Sequence, residues 1–66
     1  LTVDQRKEAL IGNAKSDYQQ VANEQTQLET DDGSGDAAAV ETAKNTKNSK
    51  ITAINACSTH ADLDAL

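Results

Sequence analysis

Cys57, His60 and Asp64 stand at i, i+3 and i+7. On one continuous helix that spacing puts a thiol, an imidazole and a carboxylate on a single face, as in half of a metal site or a base-activated nucleophile. The rest of the chain completes neither. It holds one Cys and one His in 66 residues, whereas a structural zinc needs four ligands, and Ser58-Thr59 interrupts the spacing with residues that start helices. Cys57 also falls on an apolar stripe, where a free thiol packs as a small hydrophobe. A buried structural Cys is the expectation, with an intermolecular disulfide as the alternative. Lys44, Lys47 and Lys50 form a basic ridge at i, i+3 and i+6, which reads as a solvated face or a docking strip for an acidic partner. No aromatic residue interleaves with it, so it offers no base-stacking surface.

The most specific local pattern is Thr30 to Glu41. Taken as a loop of 12 residues, it places Asp32 at position 3, Ser34 at 5, Gly35 at 6 and Glu41 at 12. This resembles the calcium loop of the EF-hand, in which oxygen ligands occupy positions 1, 3, 5, 7, 9 and 12 and a Gly at 6 makes the sharp turn. The resemblance implies side-chain ligation by Asp32, Ser34 and a bidentate Glu41, with Asp36 offering its carbonyl. The pattern departs from the family at Thr30, where an Asp belongs, and at Ala37, where a branched apolar residue is usual, and no second loop is present to pair with it. The competing expectation is a polar Gly-Ser turn whose Asp36 caps the next helix and which binds no ion.

Beyond these, the chain carries no phosphate-binding glycine loop, no paired-carboxylate cleft and no nucleophile, base and orienter set. The reading is therefore of a non-enzyme with no cofactor, calcium aside, and no small-molecule substrate. Composition agrees with a modest scaffold. Large aliphatics are five Leu, three Ile and three Val, against 11 Ala, one Tyr, and no Phe, Trp, Met or Pro. A core that thin in so short a chain usually needs a disulfide, a metal or a partner, and one Cys cannot bridge within the chain. The net charge of -5 argues against nucleic acid or an anionic membrane as the primary partner, and no apolar run approaches membrane-spanning length. Leu1 in place of an initiator Met points to a processed product, a fragment, or the ordered part of something longer.

The elements that would position these residues are helical. Thr2-Val3-Asp4-Gln5 has the form of a capping box, and Val3, Leu10, Ala14, Val21 and Leu28 recur at intervals of 7, 4, 7 and 7, a helical stripe. The spacing predicts a first helix over about 3–29, with Gly12 its weak point, and an acidic Gly/Ser loop over 30–36. A second helix over about 37–57 follows, because Val40, Ala43, Lys47, Ile51, Ile54 and Cys57 again share a face. Thr59-His60-Ala61-Asp62 repeats the capping spacing and predicts a short third helix, or a bend, over about 59–66.

In an antiparallel hairpin the numbers of facing residues have a nearly constant sum. Leu28 with Val40, Gln25 with Ala43, Val21 with Lys47, Tyr18 with Ile51, Ala14 with Ile54 and Leu10 with Cys57 meet this condition, the sums lying between 67 and 69. The expected fold is all-α: an antiparallel two-helix hairpin in a single domain, with a short helix at the C-terminus. Its middle layers would be polar, Lys47 laying its methylenes on Val21 with the ammonium in water. Val3, Ile11, Leu63 and Leu66 are left without evident partners in the chain and, with Leu10, form the candidate interface. These features suggest a subunit that packs on a protein partner or on its own copies, in an assembly such as a filament, secretion apparatus or virus particle, with a calcium-binding helix-loop-helix as the alternative.

Overall fold

The computed structural model describes all 66 residues and contains three helices and no strand. Helix α1 spans Val3–Asp32, α2 spans Ala37–Asn55 and α3 spans His60–Asp64. Helices α1 and α2 pack against each other as an antiparallel hairpin, and the molecule is a rod of 47 × 18 × 13 Å. The long dimension is that of α1 itself, roughly 45 Å at 1.5 Å per residue.

Each helix starts where a side chain can take up its first unpaired N–H groups. The Thr2 hydroxyl accepts from Gln5 N at 3.1 Å while the Gln5 side chain accepts from Thr2 N at 2.9 Å, a complete capping box. Asp36 Oδ1 accepts from Ala38 N and Ala39 N at the head of α2. Thr59 and Asp62 form a second reciprocal box at the head of α3.

Three boundaries differ from the sequence expectation. Helix α1 does not end at Glu29 but continues through Thr30, Asp31 and Asp32, supported by a Gln27 to Asp31 side-chain hydrogen bond of 2.9 Å. It stops at Gly33, whose φ of 73° is open to glycine at little cost, and whose N–H donates to Glu29 O. The loop is therefore four residues long, not seven. Helix α2 ends at Asn55 rather than Cys57, because Cys57 N donates to Ile54 O in a tighter turn that redirects the chain. Helix α3 is confined to five residues.

The interior is small. Ala14, Ile54, Cys57 and Leu63 are the only buried residues, and they gather toward the end of the hairpin remote from the loop. Leu63 is 5% exposed, so it closes the hairpin's own end instead of standing free as an interface residue. Val3, Leu10, Ile11, Val21, Val40 and Ile51 are half-buried, and Leu66 is 60% exposed.

The middle is held by a different interaction from the one expected. Lys47 Nζ lies 4.5 Å from the centroid of the Tyr18 ring, so its ammonium sits on an aromatic face and not in open water. Such a contact contributes about 0.5–1 kcal/mol at a partly exposed site. Gln25, placed opposite Ala43 by the register, turns its amide oxygen to Asp36 N at 2.8 Å and serves the loop.

Gly35 and Gly12 make opposite demands. A Cβ at Gly35 would lie 2.7 Å from Gln25 O and 2.7 Å from Glu29 Cβ, whereas nothing lies within 4 Å of one at Gly12. Gly35→Ala is expected to lower the stability by about 1–3 kcal/mol through forced displacement of the loop from α1, and Gly12→Ala to raise it by about 1 kcal/mol. Urea unfolding followed by far-UV circular dichroism reads both signs.

Candidate functional site

At the loop end, every backbone N–H from Gly33 to Asp36 is bonded to α1. Gly33 N donates to Glu29 O at 3.0 Å, Ser34 N to Asp32 Oδ1 at 3.0 Å, Gly35 N to Glu29 Oε2 at 3.0 Å and Asp36 N to Gln25 Oε1 at 2.8 Å. With Asp36 capping α2, the carboxylates of Glu29, Asp32 and Asp36 are occupied by main-chain donors. The four residues of the calcium-loop pattern do not converge: Asp32 closes α1, Ser34 lies in the turn, Asp36 faces the N-terminus of α2, and Glu41 is exposed in that helix's second turn. No three His, Cys, Asp or Glu side chains in the chain are grouped to hold a metal ion. An open depression of about 410 Å³ runs beside this end, lined by Gln25, Glu29, Gly35, Asp36 and Val40 among others.

At the opposite end, the helix break predicted at Ser58 separates Cys57 from His60 and Asp64, which does away with the shared face. Cys57 is buried and its thiol donates to Ala53 O at 3.3 Å. His60 and Asp64 both meet Arg6 instead. Arg6 Nη2 donates to Asp64 Oδ1 at 2.6 Å, the one ion pair of the chain, and Arg6 Nη1 lies 3.0 Å from His60 Nδ1. Because a guanidinium only donates, that nitrogen of His60 is the acceptor of the contact. Lys7 Nζ donates to Cys57 O at 2.8 Å and to Asn55 O at 3.4 Å, two carbonyls left open where α2 ends. Arg6 and Lys7 thus latch α1 to the turn between α2 and α3. Sequence reasoning did not single out either residue, since their partners lie about 50 positions away. The signal available was their place beside the apolar stripe in an otherwise acidic first turn.

Asp62 organises that turn. Its carboxylate accepts from Ser58 N, Thr59 N and the Ser58 hydroxyl at 2.9, 3.1 and 3.2 Å. The Ser58 N–H foremost, and then the Thr59 hydroxyl and N–H, hold the Asp62 carboxyl below its ordinary value of 3.8, because donors aimed at a carboxylate favour its charged form.

Along one side of the hairpin, between its ends, runs an open and largely apolar groove. A stretch of about 390 Å³ is lined by Leu10, Ala14, Ala53, Ile54 and Leu66, and a shallower one of about 200 Å³ continues past Tyr18, Val21, Ala43 and Thr46. Asp17 and Lys50 border both stretches from opposite helices and form no ion pair with each other. Of the basic ridge, Lys47 covers Tyr18, Lys50 edges the groove and Lys44 is exposed. No helix is long and apolar enough to cross a membrane.

No protein-family model, curated protein or solved structure matches the chain.

Two outcomes are expected here. A carboxyl whose value is lowered by folding contributes stability that is present above 3.8 and is lost as pH falls through the folded value. Acidification should therefore loosen α3, read as pH-dependent amide shifts of Ser58 and Thr59, and Asp62→Asn should abolish that titration. Calorimetric titration with calcium to millimolar concentration should give no binding heat, whereas a saturable heat lost in Glu41→Ala would place an ion at the loop.

Proposed function

We propose that the chain is a non-enzymatic interaction module, a helical hairpin whose apolar side is completed by another polypeptide in a larger assembly. The observation that carries this reading is the ratio of framework to core. Two helices of 30 and 19 residues contribute one buried residue each, Ala14 and Ile54, of four in the whole chain, while the half-buried Leu10 and Val21 and the exposed Leu66 line a continuous lateral groove. Isolated two-helix units gain little from local propensity and depend on burial across helices, and burial is what this fold lacks. The specific hydrogen bonds are spent on shape: the loop bonds hold the turn, and the Arg6 and Lys7 bonds hold the far end. None is left converging on a space where a substrate could be oriented, and no cavity encloses one.

The calcium-responsive alternative has no observation in its favour: the Asp32 carboxylate is bonded to Ser34 N, and Glu41 stands exposed in the second turn of α2.

The reading requires low intrinsic stability. In urea unfolding at protein concentrations low enough to prevent association, the full chain should show less than about 3 kcal/mol, as expected of a domain below 70 residues without a staple. A stability above about 5 kcal/mol under those conditions would overturn it.

A further inference from the structure

The groove that the interaction reading leaves open has an internal complementarity, and the following inference rests on that reading. Its α1 bank carries Leu10, Ala14 and Val21, with Leu28 about five helical turns on from Leu10 and so on the same side. Its α2 bank carries Ala43, Thr46 and Ala53 beside the larger Lys47 and Ile54. Near mid-length the α1 bank presents Asp17 and the α2 bank presents Lys50. The two banks present opposite charges at matching heights, so the surface is complementary to a copy of itself.

We propose that the groove is covered by a second copy of this chain, related by a two-fold axis parallel to the long axis of the hairpin. Rotation about such an axis lays α1 of each copy on α2 of the other at the same height. Val21 then meets Thr46 of the second copy, Ala14 meets Ala53, and Asp17 meets Lys50, the last pair occurring twice by symmetry. All neighbouring helices run antiparallel, as in a four-helix bundle. The other symmetric arrangement, with the axis across the hairpin, is disfavoured because Asp17 stands at the midpoint of Val3–Asp32 and would face Asp17 of the other copy. The broad side of the rod, 47 × 18 Å, is of the order of the roughly 800 Å² per partner that a specific interface buries. The acidic loops fall at the same end of the dimer, in water, where physiological salt screens them beyond about 8 Å.

Sedimentation equilibrium of the full chain tests this. The unaltered chain should be dimeric at about 50 µM. Asp17→Lys and Lys50→Asp, both at exposed positions, should each weaken the dimer by about tenfold or more, and the double exchange D17K/K50D should restore it to within about threefold. Far-UV circular dichroism of each variant at matched concentration separates lost association from lost folding. Three results would overturn the proposal: a monomer at every concentration, single exchanges without effect, or a double exchange that fails to restore the dimer. A monomer of low stability would remove the second copy and leave the interaction reading intact with a different protein as partner. A monomer of high stability would remove both.

Discussion

The structure depends on satisfying main-chain polar groups at its two ends. A chain that buries so few side chains cannot rely on apolar contact to set the position of one helix against the other. Gln25, Asp32 and Glu29 supply acceptors for three of the four N–H groups of the turn, and Asp36 supplies one for the head of α2. At the other end Lys7 supplies a donor for the carbonyls that α2 leaves open. All of these bonds but the one from Lys7 to Cys57 O are exposed to water, so each contributes about 0.5–1.5 kcal/mol net. Bonding them to α1 fixes the register from both directions, and the half-buried aliphatics between fill in what the ends have aligned.

This changes the meaning of the charge distribution. Glu29, Asp31, Asp32, Asp36 and Glu41 account for the whole net charge of -5, which invites the idea of a cation site. Three of the five are instead acceptors that shape the turn and the helix beyond it. Gly35 belongs to the same device. Its lack of a side chain lets the turn approach α1 closely enough for Glu29 and Gln25 to reach the main chain, whereas Gly33 serves by its left-handed backbone. Two glycines one residue apart thus have different duties, one of space and one of conformation.

Much of the fold was legible in the residues. The caps at Thr2, Asp36 and Thr59 are local, involving partners within three positions, so side-chain chemistry alone locates them. The register of the hairpin was legible because periodicity in both helices defines facing positions independently. The end of α1 was not, because Thr30, Asp31 and Asp32 tolerate helix and turn alike, and the stop falls at Gly33, where a left-handed backbone and a bond to Glu29 O combine. Lys47 on Tyr18 lies one turn away from the Val21 partner that the register assigns, a distance that a flexible four-carbon stem spans easily. Arg6 and Lys7 escaped notice because their acceptors become neighbours only after the chain has reversed. The face shared by Cys57, His60 and Asp64 failed for the reason already present at Ser58-Thr59: a helix start cannot lie inside a helix.

The rod is fastened by hydrogen bonds to α1 at both ends and thinly packed between them. No residue between Ala14 and Ile54 is buried, so apolar packing is thinnest in the stretch that holds Val21, Ala43 and Lys47. The single aromatic ring, Tyr18, lies at the edge of that stretch beneath the Lys47 ammonium. The intrinsic emission of this protein, which has one Tyr and no Trp, therefore reports on the thinly packed stretch between its two helices.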